Sequence, residues 1–461
     1  MAEDKLQDPE LPAGAIVATH ALAEGQVRRN DGVVLNPAAK NPWYVLATIA
    51  GEYETTEPVA PFDDLAARNR RFWNGWACAE MDDAARAALA EELGVPAAEV
   101  APLSAAERQT LEAEFARRLG PDVPIPNPSD RIDCRETHFP VALVMQGCVF
   151  PGFTTFSDTH FAGTTIFFKA HFAGPAHFRG THFADRAFFQ AAYFADYADF
   201  ICHAHFNKRA EFRAAHFAGP AFFDDAHFAD HAVFNTTHFG GSARFKAAHF
   251  DGPADFSNGA FKSKTVFAGA EFERWAPKFH HREMHHDTSF TTERNNWPKP
   301  TKDNADDGKR AYTRLRQIAA EAHNPDDEHF FLRQEMRCKR VLADRFHKLL
   351  FCLYSLISDY GYSVARPAAG LALSWLLPGF AYLFHFAAGI IAGTAPVSIL
   401  GPFGLSFANL FAFLGLRRLY FTHVLKDLPG WLQALAGAQT VAGVVLLFFL
   451  GLGLRNRFRL H

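Results

Sequence analysis

The sequence predicts a mainly β protein, a parallel β-solenoid with an N-terminal helical region before it and membrane-spanning helices after it. Three observations support this prediction. Phenylalanine recurs at a short fixed period from Phe139 to Phe272, which is typical of a solenoid. Helix start and stop signals cluster before residue 130. Two uncharged stretches of 24 residues lie near the C-terminus, and each is long enough to cross a bilayer.

The steps between successive phenylalanines alternate between five and six residues, so the true period is eleven. A small residue, usually alanine, stands two positions before most of them, and the rhythm begins with Thr137 and Phe139. This period fits neither a helix nor a simple strand. We expect the small residue and the phenylalanine to point inward. The alternation breaks once: Phe194, Phe200 and Phe206 are separated by six and six residues, and the added residue lies within Ile201–His203.

These small-x-Phe units resemble the pentapeptide-repeat family, whose A-x-F-x-x units build a right-handed, four-sided parallel β-helix. The resemblance covers some two dozen consecutive sites and implies a right-handed quadrilateral solenoid. The chain departs from the family pattern by a sixth residue at every second side. We interpret that residue as a regular corner bulge, which gives half-coils of about 11 residues and coils of about 22. Six coils would make a rod of roughly 30 Å.

Composition shifts divide the chain into four predicted regions. They are an N-terminal irregular and helical cap (1–130), the solenoid (131–291), a hinge with a helical hairpin (292–348) and a membrane domain (349–461). Residues 1–60 are expected to be irregular. Helices are predicted near 62–79, 82–93 and 105–119, the last opened by a Ser104–Glu107 capping box. We expect this region to cover the open end of the solenoid, whose strand edges would otherwise be unpaired.

Within the membrane domain, 349–358 is predicted to be an interfacial helix, and 368–391 and 431–454 are predicted spans. The segment 397–416 is apolar but broken by glycine and proline, so it is re-entrant, interfacial or a third span. Basic residues beside the spans, Arg366 and Arg455 among them, place both termini and the solenoid in the cytoplasm. Arg417 and Arg418 count slightly against this orientation, because they lie in the segment that it places outside the cytoplasm. The region resembles the C-terminal part of bacterial membrane-anchored pentapeptide-repeat proteins, which implies a multi-pass protein of the bacterial inner membrane.

Charge and motif content exclude several classes of function. The net charge of −4 argues against nucleic-acid binding, and 11 acidic against 10 basic residues between Phe139 and Phe272 disfavour a DNA mimic. The six cysteines are scattered, which predicts free thiols in a reducing compartment. No nucleophile, phosphate-binding or dinucleotide motif is present. We therefore predict no catalytic residues, no cofactor and no enzymatic activity.

Histidine stands directly before alternate phenylalanines. Because residues 22 apart stack and residues 11 apart lie on opposite sides, the histidines form two predicted stacks. One holds His160, His182, His205, His227 and His249; the other holds His171, Tyr193, His216 and His238. We favour simple stacking of flat side chains on an exposed sheet face. Proton sensing and metal binding remain alternatives, although a flat outward row supplies tetrahedral zinc ligation poorly.

A denser group, His280–His286, lacks the order of a zinc protease motif. Met284 stands where the repeat places an inward-facing residue, so we expect this stretch to form an end coil with its histidines facing solvent. In the predicted spans, His385, Gln433 and Gln439 are the notable polar residues, and no potassium-type filter sequence is present.

The favoured function is a non-enzymatic scaffold, held at the membrane, whose solenoid binds an unidentified protein partner. The competing hypothesis is an oligomeric two-span channel or transporter with the solenoid as a regulatory domain. Sensing of protons or metal ions by the histidine stacks is a third hypothesis. Homo-oligomers are compatible with the first two.

Overall fold

The computed structural model describes residues 14–17, 22–57, 64–391, 400–421, 424 and 428–458. The chain divides into two compact units, which are described separately. The first consists of residues up to Pro300 together with Arg310–Phe330, and the second of Thr301–Lys309 and the residues from Phe331 onward.

The first unit contains a parallel β-solenoid built from four stacked sheets, which confirms the predicted four-sided fold. We number its faces in the order in which the chain passes through them. Face 1 holds Thr137–Phe139, His160–Phe161, His182–Phe183, His205–Phe206, His227–Phe228, His249–Phe250 and Glu271–Phe272. Face 2 holds Leu143–Val144, Thr165–Ile166, Ala187–Phe188, Ala210–Glu211, Ala232–Val233 and Ala254–Asp255.

Faces 3 and 4 complete each coil. Face 3 holds Val149–Phe150, His171–Phe172, Tyr193–Phe194, His216–Phe217, His238–Phe239 and Ala260–Phe261. Face 4 holds Ile132–Asp133, Thr154–Thr155, Ala176–His177, Ala198–Asp199, Ala221–Phe222, Ala243–Arg244, Thr265–Phe267 and Ser289–Phe290. The prediction of six coils was too low, because face 1 alone has seven successive parallel strands.

Phenylalanine rings fill the solenoid interior. Phe172 stacks on Phe194 with ring centroids 4.8 Å apart, and Phe194 stacks on Phe217 at 4.7 Å. The small residue two positions before each ring, such as Ala192, is also fully buried. It must be small because a larger side chain at that position would clash with the adjacent rings. Offset and stacked aromatic pairs stabilise beyond the area they bury. The period of the sequence is therefore the period of the core.

The corners differ from the predicted regular bulge. Each five-residue step contains a left-handed residue in a tight turn, such as Lys169 at φ 54°, where the Ala170 amide donates to the Phe167 carbonyl at 3.0 Å. The six-residue steps make wider corners without such a residue. Strand pairing stays one to one, as in Thr165 opposite Ala187. Because every coil carries the extra residue at the same corners, no strand bulges against its neighbour.

The described residues of the predicted irregular region 1–60 are more ordered than predicted, while residues 1–13, 18–21 and 58–60 lie outside the described residues. Strands Ile16–Val17, Val27–Arg29 and Val34–Pro37 extend face 1, and the last pairs in parallel with Thr137–Phe139. Helix α1 follows at Pro42–Ala47, and its Tyr44 ring packs edge-on against Phe139 at 5.4 Å. The first coil is thus covered by a paired strand and a helix.

Four further helices precede the solenoid. They are α2 (Asp64–Ala77), α3 (Asp83–Leu93), α4 (Ala97–Val100) and α5 (Ala105–Leu119). The predicted capping box at Ser104 and Glu107 is present. Trp73 of α2 donates its indole N–H to the Val149 carbonyl at 2.7 Å, so this helix binds the side of the solenoid as well.

At the opposite end, Phe290 stacks on Phe267 and Trp297 packs on Phe272. The predicted inward residue Met284 is only half-buried. Arg282 is the buried side chain instead, with its guanidinium 4.3 Å from the Phe261 ring centroid and donating to the Phe234 carbonyl at 2.8 Å. Helices α6 (Ala305–Glu321) and α7 (Pro325–Leu342) follow.

The second unit is helical. It contains α8 (Arg345–Ser358), α9 (Ala365–Ile391), α10 (Leu400–Leu410), α11 (Leu416–Tyr420) and α12 (Gly430–Phe458). Helices α9 and α12 are long and apolar enough to cross a membrane. Helix α10, part of the predicted broken segment, has 11 residues within the described part of the chain, a length of about 16 Å. Residues 397–399 of that segment lie outside the described residues.

Candidate functional site: histidine stacks and polar clusters

The predicted stack on face 1 is longer than expected. His160, His182, His205, His227 and His249 pair in register along the face. His138, which the sequence analysis missed, extends the stack, with its Nδ1 3.0 Å from the His160 Nδ1. The signal was available, since His138 stands directly before Phe139 and 22 residues before His160.

The face 1 stack is not a uniformly exposed surface, which corrects the prediction. A hairpin formed by Ile16–Val17 and Val27–Arg29 reaches the first half of the stack through Arg29 and Gly14, which line one cleft with His182 and His205. Arg29 is 2% exposed, and its guanidinium donates to the Gly180 carbonyl at 2.7 Å while forming an ion pair with Asp31. His160, His182 and His205 are consequently buried, at 5–7% exposure.

Burial sets the charge of these three histidines. Removal from water lowers the pKa of His160 to about 4, with smaller effects from His138 and Arg29. Burial and the neighbouring Arg29 lower the pKa of His182 to about 3. Burial and His227 lower the pKa of His205 to about 4. The covered half of the stack is therefore neutral at pH 7.

The uncovered half has carboxylate partners. The His227 Nε2 lies 2.8 Å from an oxygen of Asp251, and the His249 Nδ1 lies 3.1 Å from an oxygen of Glu271. These contacts engage one nitrogen of each ring. The two halves of the stack therefore differ in chemistry. The histidines of the first half are buried and neutral, and those of the second half are more accessible and have carboxylate partners.

The second stack runs along face 3. His171 stacks on Tyr193 at 5.0 Å, Tyr193 on His216 at 5.1 Å, and His216 on His238 at 6.2 Å. The His171 Nδ1 lies 3.4 Å from a carboxylate oxygen of Glu92 on α3. Tyr193 is thus a member of the stack and separates His171 from His216 and His238.

The single break in the repeat lies beside the covered histidines. Cys202 and His203 both adopt left-handed φ values, 56° and 61°, so the extra residue is accommodated at a corner. Together with Asp31 and Asp158 they line a cleft of about 820 Å³ that also contains His182 and His205. Cys202 is exposed, and the His182 Nδ1 is buried without a hydrogen-bond partner.

In the part of the chain that the structure describes, one group of three possible metal ligands has its donor atoms within 4.8 Å of one another: His285, His286 and Asp287. The Asp287 amide donates to the His285 Nδ1 at 3.1 Å, which requires the proton of that ring to sit on Nε2. A metal at Nε2 would therefore displace this hydrogen bond, and zinc ordinarily needs a fourth ligand.

No family model, no curated protein and no solved structure matches the chain. The function of the chain is therefore inferred from its own geometry. Three surfaces or clusters offer chemistry: the histidine stacks, face 4 of the solenoid, and the polar interior of the second unit.

Face 4 combines aromatic and arginine side chains. Arg131 lies over the Phe153 ring at 4.3 Å, and Arg244 lies over the Phe222 ring at 5.2 Å. His177 and Tyr197 share a hydrogen bond of 2.8 Å between them. The aromatic rings named here are half-buried.

Carboxylates lie beneath the arginines of face 4. Asp199 is 4% exposed and pairs with Arg179 at 3.1 Å. Its burial raises the pKa of the Asp199 carboxyl, and Arg179 partly offsets that effect. Asp199 holds the Arg179 guanidinium in place, and Asp224 holds that of Arg244, so these arginines are ordered cationic groups beside the aromatic rings.

In the second unit, Pro378 interrupts the hydrogen bonding of α9. A proline has no N–H, so the carbonyl four residues earlier, that of Ser374, loses its helical donor. The Gln439 amide of α12 donates to that carbonyl at 2.8 Å. The Ser406 hydroxyl of α10 donates to the next carbonyl, that of Trp375, at 2.5 Å.

A second polar group lies beside this one. The Asn409 amide donates to the Tyr382 hydroxyl at 3.3 Å, and Thr440 donates its hydroxyl to the Asn409 carbonyl at 3.0 Å. All three helices contribute to this interior. From the sequence, Gln439 was predicted to be a notable polar residue of a span and Asn409 to be a break in the segment 397–416, whereas the contribution of Ser406 and Tyr382 was not predicted. His385 and Gln433 are outside the cluster, since Gln433 donates to the Leu428 carbonyl.

Proposed function

We propose that the chain is a bacterial, membrane-anchored, non-enzymatic protein of pentapeptide-repeat type whose cytoplasmic solenoid binds a protein partner. The observation that carries the proposal is the combination, in one chain, of a solenoid whose interior is fully used by its own core and a helical unit with exposed apolar surface. The solenoid then acts through its outward faces, and the helices act through the bilayer.

The exposed side chains of the long helices support the membrane part of the proposal. Large apolar residues face outward along both helices; they include Leu373, Leu377, Phe384, Val441 and Phe448, which are 55–73% exposed. A water-soluble protein rarely exposes so continuous an apolar surface. The basic residues Arg366, Arg455 and Arg457 at one end of the helices support a cytoplasmic location for that end, and hence the inner membrane.

Face 4 supports the docking part of the proposal. Aromatic residues and arginine dominate the energetically important parts of protein interfaces, and the pairs Arg131–Phe153 and Arg244–Phe222 place both types side by side. The Asp224 carboxylate pairs with Arg244 and fixes that guanidinium before binding, which reduces the entropy lost on association. A partner with acidic and aromatic groups fits this chemistry.

The proposal is tested by chemical cross-linking in native membranes followed by mass spectrometry. We expect the chain to remain in the membrane after an alkaline carbonate wash, and to cross-link through face 4 to one defined protein of different sequence. Release by carbonate contradicts the membrane anchor. Cross-links only between copies of the chain contradict the scaffold.

An oligomeric channel is the second candidate, and the polar interior around Tyr382, Asn409 and Gln439 is the observation that favours it. Polar residues within a membrane often mark a conduction or transport path. Gln439, however, satisfies the Ser374 carbonyl freed by Pro378, which is a structural role. Flux measurements on purified protein in liposomes separate the candidates: a selective conductance supports the channel and contradicts a pure anchor.

A further inference from the structure

Helix α8 exposes a broad apolar surface in the second unit. Phe346, Leu349, Leu350, Leu353 and Leu356 are 43–72% exposed. Their spacing of three and four residues places them on one side of the helix. With 14 residues, α8 is about 21 Å long, too short to cross a hydrocarbon core of roughly 30 Å.

Basic residues lie beside this apolar surface. Arg345 and Lys348 are three residues apart, so they share one edge of α8, and Arg340 lies in the last turn of α7. None of these three side chains is in an ion pair with a described residue. The neighbouring Asp344 is engaged at the start of the helix, where it accepts from the His347 ring at 2.5 Å.

The other side of α8 packs on the candidate spans. The Tyr354 ring lies 5.6 Å from Phe449 of α12. The Arg366 guanidinium, in the first turn of α9, donates to the Ser355 carbonyl at 2.6 Å. The Asn456 amide near the end of α12 donates to the Gly361 carbonyl at 2.9 Å. These contacts bring α8 to the end of the spans that carries Arg366, Arg455 and Arg457.

We infer that α8 and the last turn of α7 form a membrane-surface element that binds anionic phospholipid headgroups through Arg340, Arg345 and Lys348. The inference rests on the proposed membrane anchorage. The occupant is a lipid surface because the apolar side chains continue the exposed surface of the spans, and because unpaired cations beside an apolar helix face match an anionic leaflet.

The test uses the full-length protein in nanodiscs of phosphatidylcholine that contain a trace of spin-labelled lipid. The electron paramagnetic resonance signal of motionally restricted lipid gives the relative affinity for phosphatidylglycerol over phosphatidylcholine. We expect a preference of roughly threefold or more, falling as salt screens the charges. In R340Q/R345Q/K348Q the preference falls to about one. The matched control K208Q/K246Q/K264Q removes three exposed solenoid lysines and leaves it unchanged.

The outcomes separate the inference from the membrane anchor. A protein that resides in nanodiscs without any phosphatidylglycerol preference, or whose preference survives R340Q/R345Q/K348Q, overturns the inference and leaves the anchor intact. A protein that does not enter nanodiscs overturns the anchor itself. Circular dichroism of each variant checks that the fold is retained, so a lost preference is attributable to the removed charges.

Discussion

Gln439 donates its side-chain amide, at 2.8 Å, to the main-chain carbonyl of Ser374, the acceptor that Pro378 leaves without its helical donor. The bond joins α12 to α9 at the point where α9 is weakest. Uncompensated polar groups are costly in an apolar environment, so the proline and the glutamine form one structural device rather than two independent features.

This device predicts a coupling between positions 439 and 378. Replacing Gln439 with leucine orphans the Ser374 carbonyl and should destabilise the helical unit by about 1–3 kcal/mol. In a P378A background, the restored N–H satisfies that carbonyl, so the cost of Q439L should fall by about 1 kcal/mol. Thermal unfolding in detergent of all four proteins measures the coupling.

The bonds from Gln439 to Ser406 are present in both backgrounds and cancel in this comparison. Gln433→Leu is the matched control, because Gln433 is exposed and bonds only within its own helix region. An equal cost of Q439L with and without Pro378 rejects the proposed role.

Inward and outward phenylalanines of the repeat should contribute unequally to stability. Phe200 is fully buried between Phe178 at 4.7 Å and Phe223 at 4.9 Å, so F200A should cost about 3–5 kcal/mol. F222A removes the same atoms from the outward side of face 4 and should cost less than about 1 kcal/mol. Urea unfolding followed by circular dichroism checks both; similar losses would mean that the rings do not form the stabilising core.

The spacing of phenylalanine and histidine predicted the stacks correctly because a 22-residue coil places residue i beside residue i+22 by geometry alone. The cover over His182 was not predictable in the same way. It depends on Arg29 reaching Gly180, 151 positions away, and nothing in the repeat encodes that contact.

The polar interior of the second unit was missed for a similar reason. Gln439 stood out as a polar residue in an apolar stretch, but its partner Ser406 lies in a segment whose path the sequence left open. Pro378 was the available signal: a proline within a long helix requires an outside donor for the carbonyl four residues before it.

The buried histidines predict loss of stability on acidification. Above the ordinary pKa of 6.5, these histidines are neutral in both the folded and unfolded states, and stability is full. As the pH falls from 6.5 towards 4, the unfolded chain binds protons that folded His160, His182 and His205, with pKa values of about 3 to 4, do not. Each should remove up to about 2 kcal/mol at pH 5.

Urea unfolding at pH 7.5 and pH 5 measures this loss. The variant H160Q/H182Q/H205Q should show a flatter pH dependence than the wild type. The variant H231Q/H238Q/H249Q, which changes three exposed histidines, controls for the number of imidazoles removed. The protection factor of the amides at Val27–Arg29, corrected for the slower intrinsic exchange at pH 5, should fall at the lower pH, because opening of the hairpin exposes the buried rings to protonation. Equal protection of the Val27–Arg29 amides at both pH values contradicts this account.

The most direct test of the scaffold proposal is site-specific photo-cross-linking in living cells with a photoreactive amino acid at Tyr197 on face 4, compared with His238 on face 3, which is exposed. The account predicts that the probe at Tyr197 yields one discrete cross-linked protein of different sequence and that the probe at His238 does not. Cross-links at Tyr197 only to other copies of the chain, or the same products from both positions, would contradict it.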